Sequence, residues 1–166
     1  MKRVIAGFVL CGALAAAPAA AQMPKYGVTV EADKNLDYTV FKTYSWTEGH
    51  PSSDKAINDR VIAAVDRELS ALGMTKAASG PGDVLVTYYS LSRTDVDVME
   101  KPDAAGVYPQ YWVGTLVVGL LDTRTRERRL RLRIDKPIDI DRAKLDVTVD
   151  QAVSAMFAKY PTRTKK

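Results

Sequence analysis

The 166-residue sequence contains a single cysteine, Cys11, and a single histidine, His50. Cys11 lies in an N-terminal segment that we expect to be removed, so the mature chain is expected to carry no thiol. Such a chain has no disulfide, no cysteine-ligated metal and no cysteine nucleophile. One histidine, in the polar loop between Gly49 and Pro51, cannot form a two-histidine metal site. We therefore expect a hydrophobic core to stabilise the fold, and 46% of the residues are hydrophobic.

The sequence also lacks a glycine-rich phosphate loop and a dinucleotide fingerprint. Ser52 and Lys55 have the Ser-x-x-Lys spacing of penicillin-recognising enzymes, but no Ser-Asp-Asn or Lys-Thr-Gly motif accompanies them, so a helix cap is favoured. Residues 33–37 resemble the opening of a calcium loop, yet Tyr38 and Tyr44 occupy the positions of its glycine and bidentate glutamate. We predict no catalytic residue, no cofactor and no metal.

The N-terminus has the pattern of a secretory signal peptide. Lys2 and Arg3 precede an apolar run, and Ala19 and Ala21 fit a cleavage site before Gln22. Residues 1–21 are therefore predicted to be a signal peptide, and the mature chain to be periplasmic. Lipidation of Cys11 is not expected, because the bulky Leu10 precedes it. The apolar run is shorter than the roughly 20 residues of a membrane span, so no transmembrane segment is predicted after cleavage.

The overall charge disfavours a nucleic-acid partner. The chain has 24 basic and 20 acidic residues, and removal of Lys2 and Arg3 leaves 22 against 20, a net charge of +2. Positive charge is instead concentrated locally, because six arginines lie within residues 124–133.

Three of these arginines, Arg129, Arg131 and Arg133, alternate along a predicted strand and should project from one face. Such a row can bind phosphate or carboxylate groups bidentately. Alternatively, it discourages edge-to-edge aggregation and pairs with Asp95 and Asp97 of a neighbouring strand. Aromatic residues of the kind that anchor interfaces lie in and after the preceding loop: Tyr108, Tyr111 and Trp112.

Hydrophobic periodicity predicts a single α+β domain over residues 22–161, followed by a basic tail over residues 162–166. The predicted order is β-β-α-β-β-β-α, with a helix from Asp54 to Leu72 and a second helix capped by Asp146 or Thr148. We expect a two-layer sandwich in which a mostly antiparallel sheet of about five strands, the last three forming a meander, carries both helices on one face. The predicted strands cover residues 27–31, 42–47, 83–99, 111–121 and 128–135.

Several segments resemble domain-of-unknown-function family 4136. They are the strand Lys42-Thr43-Tyr44-Ser45-Trp46, the Gly-Thr-Leu strand of residues 114–122, and the terminal Phe157-Ala158-Lys159-Tyr160-Pro161. The resemblance implies an exported bacterial envelope protein with no assigned activity, and many members of the family are lipoproteins. We accordingly predict a non-enzymatic domain that binds an envelope protein or an anionic envelope component. A small carboxylate-dependent hydrolase, acting on a cell-wall or lipid substrate, is the alternative.

Overall fold

The computed structural model describes residues 26–139 and 141–164. The predicted signal peptide, with Cys11, lies outside the described residues. A 3₁₀ turn at Tyr38–Val40 precedes the second strand. The main elements are β1 (Gly27–Ala32), β2 (Thr43–Trp46), α1 (Lys55–Ala71), β3 (Thr75–Lys76), β4 (Val84–Val96), β5 (Gln110–Asp122), β6 (Arg128–Pro137), α2 (Arg142–Phe157) and α3 (Pro161–Thr164).

The strands form one mixed sheet in the order β1-β6-β5-β4-β2-β3. The α+β class and the β4-β5-β6 meander are confirmed. The predicted five strands and their order are wrong, because the two-residue β3 is too short to show an alternating pattern. Three strand pairs are antiparallel, but the sheet is mixed because β2 pairs parallel to both β3 and β4. Helix α1 connects β2 to these strands, and such a crossover is what parallel pairing requires.

Both helices cover the same face of the sheet. The helical periodicity predicted for α1 is confirmed, because Val61, Val65 and Leu69 are buried. In α2 the buried residues include Val153 and Met156. These side chains pack in one cluster with strand residues of alternating position, namely Val84, Val86, Tyr88, Leu116, Val118, Leu120, Leu130, Leu132 and Ile134. We call the opposite side of the sheet its open face.

Helix α2 begins at Arg142, so the predicted caps Asp146 and Thr148 are wrong. The N–H of Leu145 already donates to the carbonyl of Asp141 (2.9 Å). The apolar stripe does extend into this turn, because Leu145 lies four residues before Val149 and packs against the core. The alternation of residues 146–149, in which Val147 is exposed, hid this spacing from the sequence analysis. At the C-terminal end, α3 includes the first residues of the predicted basic tail, and Arg163 donates to Glu68 (2.9 Å).

Strands β4 and β5 extend past the rest of the sheet. Strand β2 pairs with β4 only as far as Val86. The loop after β2 continues this pairing along β4 through His50, whose carbonyl accepts from the N–H of Ser90 (2.9 Å). Beyond that point, β4 residues 91–96 pair only with β5. We call residues 91–112 the hairpin arm: the end of β4, the loop 97–109 and the beginning of β5.

Candidate functional site

The arginine row lies on the open face of β6. Arg129, Arg131 and Arg133 alternate with the buried Leu130, Leu132 and Ile134, which confirms that the three arginines share one face.

Each of these guanidinium groups meets a carboxylate of the same chain. Arg131 donates to Glu31, its registered neighbour on β1, at 2.7 Å. Arg133 donates to Asp135 at 2.8 Å, and Arg129 approaches Asp122 at 3.3 Å. Each arginine of the row is therefore already ion-paired within the chain.

The arginine row does not pair with Asp95 and Asp97, so that expectation is wrong. Asp95 pairs with Arg93 of its own strand (2.9 Å), and the side chain of Asp97 accepts from the N–H of Met99 (3.0 Å). The reason is register. Strand β5 separates β4 from β6, and Asp95 lies opposite Tyr111, beyond the stretch of β5 that faces the arginines.

Asp135 is the centre of a polar network on the open face. It accepts hydrogen bonds from Thr115 Oγ1 (2.6 Å), from Arg133 and from Arg93 (3.2 Å). Burial acts to raise the pKa of Asp135, but the hydrogen bonds from these three side chains outweigh it and lower the pKa to about 2. A carboxylate with this pKa is ionised at neutral pH, so it serves as an acceptor and not as a general acid.

Asp122 is similarly held in its charged form. The backbone N–H groups of Thr125 and Arg124 donate to it, and with the Arg129 guanidinium they lower its pKa to about 2 despite burial. The hydrogen bonds thus organise the β5–β6 turn and give this carboxylate a structural role.

The structure separates the three predicted aromatic residues. The Tyr111 hydroxyl shares a hydrogen bond with Tyr26, whose hydroxyl donates to Asp95 (3.2 Å), so Tyr111 reaches the polar network of the open face. Trp112 points to the other side of the sheet and is 49% exposed. Tyr108 lies exposed in the arm loop. Tyr108 and Trp112 therefore belong to the hairpin arm and not to the arginine row.

The hairpin arm carries a concentration of exposed hydrophobic side chains, of which the sequence analysis had named only Tyr108 and Trp112. Ten large hydrophobic residues are exposed in the described part of the chain, and seven of them lie in the arm. The available signal was the pair Val98-Met99 in a polar loop; Met99 is 71% exposed. The seven are Leu91, Val96, Val98, Met99, Val107, Tyr108 and Trp112.

A cavity of about 420 Å³ lies at the same end of the molecule, between the sheet and the beginnings of both helices. We call it the end cavity. Its lining comes from α1, β4, β5, β6 and α2, so no short motif in the sequence could reveal it. Gly114 forms part of the lining, and a Cβ atom there would lie 3.0 Å from Ile138 Cγ2.

Within residues 26–139 and 141–164, no three His, Cys, Asp or Glu side chains converge in a way that could hold a metal ion. No helix in this part of the chain is long and apolar enough to cross a membrane.

Comparison with known proteins shows the family. The chain belongs to the family described as Domain of unknown function (DUF4136), whose model matches residues 28–162, and this confirms the resemblance. No curated protein matches the chain.

Solved structures share the fold at low sequence identity. A PDZ domain protein from Parabacteroides distasonis has a TM-score of 0.59 at 12% identity over 85% of this chain, which spans only 36% of that protein. The PelC dodecamer from Paraburkholderia phytofirmans has a TM-score of 0.55 at 8% identity, covering 86% of this chain and 100% of the PelC chain. At these identities the similarity concerns the fold alone.

Proposed function

We propose that this DUF4136 protein is an exported, non-enzymatic envelope domain that binds a protein partner through the hairpin arm. The observation that carries the proposal is the exposure of seven large hydrophobic side chains on one protruding hairpin. Exposed apolar surface concentrated on one element of a soluble protein marks interaction sites. Export rests on the predicted signal peptide.

The chemistry of the arm favours a protein over an anionic envelope component. Tryptophan, tyrosine and methionine are enriched at protein interfaces, and the arm presents Trp112, Tyr108 and Met99. An anion that bound Arg131 or Arg133 would instead have to compete with Glu31 and Asp135.

The backbone of the arm supplies a second means of recognition. Beyond Ser90, β4 has no neighbour among the described residues on the side opposite β5. There the N–H and C=O groups of Ser92, Thr94 and Val96 point away from β5. Among residues 26–139 and 141–164, nothing pairs with that edge. An extended segment of a partner can add to such an edge by main-chain hydrogen bonds.

A second copy of the chain is the partner to test first, because one of the similar solved structures is described as a PelC dodecamer. Light scattering across a concentration series measures self-association. The double substitution Met99→Ser with Trp112→Ser should weaken association at least tenfold, since buried aromatic anchors contribute a large share of interface energy. The matched control is Val40→Ser with Val147→Ser, which changes exposed apolar residues outside the arm.

Photo-crosslinking in cells extends the test to other partners. A photoreactive residue at position 99 or 112 should yield one discrete adduct, which mass spectrometry identifies, whereas positions 40 and 147 should not. Adducts of equal yield at all four positions, or none at the arm, would show that the arm is not the binding surface.

A further inference from the structure

The end cavity has an apolar inner wall. Val61, which is buried, comes from α1, while Val149 and Ala152 come from α2. The sheet contributes Leu116 and Ile134, two side chains that also belong to the hydrophobic core. The cavity thus lies between the two helices and the sheet, and its wall is continuous with the core.

Covering the apolar inner wall with a hydrocarbon removes that wall from water, which is favourable. Protein interiors are close-packed, and water in a cavity needs polar partners that apolar side chains do not supply. A volume of about 420 Å³ also lies within the range of roughly 300 to 1,000 Å³ typical of small-molecule sites, which combine apolar walls with a few polar groups. The wall therefore fits a hydrocarbon group.

The rim of the end cavity is polar and favours an anion. Lys136 lines it, and the contact that its ammonium group makes is with Gln151 Oε1 (3.3 Å). Within the described part of the chain no carboxylate lies within salt-bridge distance of Lys136, whereas most arginines of the open face are paired. The other titratable rim groups are His50 and Asp54, and the Asp54 carboxylate already accepts the N–H groups of Ala56 and Ile57.

We propose that the end cavity binds a linear fatty-acid carboxylate, with its hydrocarbon chain against Val61, Leu116 and Val149 and its carboxylate paired with Lys136. Two features select this ligand: the apolar wall requires a hydrocarbon, and the cation at the rim requires an anionic head. Leu91 and Ser92 at the base of the arm also line this cavity, but the residues proposed to hold the ligand lie outside the arm, so the proposal does not depend on protein binding by the arm.

Titration calorimetry with octanoate, decanoate and dodecanoate, each below its micellar concentration, tests the hydrocarbon part. Affinity should rise roughly fourfold for each added methylene until the cavity is filled, because each buried methylene contributes a constant free energy. Affinity that does not change with chain length would overturn the proposal.

The substitution Lys136→Gln tests the head group. It should weaken dodecanoate binding about tenfold while leaving dodecanol binding unchanged, because only the carboxylate gains from a charged partner. The control Lys159→Gln removes an exposed lysine that does not line the cavity. Equal loss of dodecanoate and dodecanol would show that Lys136 acts only on the fold.

Filling the cavity tests its location. Ala152→Phe and, independently, Thr148→Phe place a ring at the wall and at the rim, and either should abolish dodecanoate binding. Val147→Phe, on the exposed side of the same helix, should leave it intact. Circular dichroism identifies any variant that does not fold. If both variants fold and bind dodecanoate like the unmodified protein, the ligand lies elsewhere. That outcome would not bear on protein binding by the arm, which crosslinking tests separately.

Discussion

Asp135 links three segments of the open face through its hydrogen bonds to Arg93, Thr115 and Arg133. Its side chain is only 13% exposed, so these bonds lie largely out of water, where charge-assisted hydrogen bonds contribute most. The contribution of this carboxylate should therefore make the free energy of unfolding depend on pH.

The first prediction concerns that pH dependence. The pKa of Asp135 is lowered in the folded state to about 2, below its value in the unfolded chain. Its stabilisation is therefore complete well above pH 4 and is lost as the pH falls towards 2. Asp135→Asn should lower the free energy of unfolding by roughly 2 kcal/mol at pH 7. Urea titrations should show this difference shrinking towards zero at pH 2.

The exposed carboxylate of Glu100 provides the control, because Glu100→Gln changes charge without touching the network. The contradicting outcome is that Asp135→Asn lowers the free energy of unfolding by the same amount at pH 7 and at pH 2. That result would mean that the network does not depend on the charge of Asp135.

Burial of individual residues could be read from the sequence, but their polar partners could not. The alternation of Leu130, Leu132 and Ile134 with arginines predicted which side chains point inwards. The partner of Arg131 depends on which residue of β1 lies opposite, and that is Glu31, a hundred positions away in the sequence. Periodicity contains no information on cross-strand register, so Asp95 and Asp97 were the wrong choice.

At the scale of elements, helix α1 was predicted almost to the residue because its signals are local. An apolar stripe at spacings of three and four fixes its body, Asp54 caps its beginning and Gly73, with φ of 83°, follows its end. In the structure Asp54 accepts from the N–H groups of Ala56 (2.9 Å) and Ile57 (3.2 Å).

We therefore predict that Asp54→Ala lowers the free energy of unfolding by about 1 kcal/mol, the usual effect of removing a helix N-cap. Ser53→Ala, one residue earlier, should change it by only a few tenths of that amount. Chemical denaturation of both variants measures the difference. Equal effects of the two substitutions would contradict the assignment of the cap to Asp54.

The elements that the sequence did not predict depend on distant contacts. Strand β3 exists because Thr75 N–H donates to Lys42 O (2.8 Å) and Ala77 N–H donates to Tyr44 O (2.8 Å). Nothing in residues 75–76 marks a strand without that neighbour. The parallel pairing of β2 with β4 likewise requires α1 to return the chain along the sheet, a matter of topology that composition does not reveal.

At the scale of the whole molecule, the core and the candidate binding features occupy different regions. The hydrophobic core lies between the helices and the middle of the sheet, whereas the hairpin arm projects beyond both. The end cavity opens beside the base of the arm, and Leu91 and Ser92 belong to both features. Because arm residues contribute little to the core, binding through the arm should be separable from folding.

Replacement of residues 98–108 by Asn-Gly tests this separation. The N–H of Asp97 donates to Pro109 O (2.8 Å), so these residues already form a close pair that a two-residue turn can connect. The replacement removes Val98, Met99, Val107 and Tyr108, none of them buried, and it shortens the loop, which lowers the entropy cost of closing it. The melting temperature should therefore stay within a few degrees of the original, while self-association or crosslinking through the arm is lost. A large fall in melting temperature would instead assign the arm a role in stability, and retained association would place the interface elsewhere on the molecule.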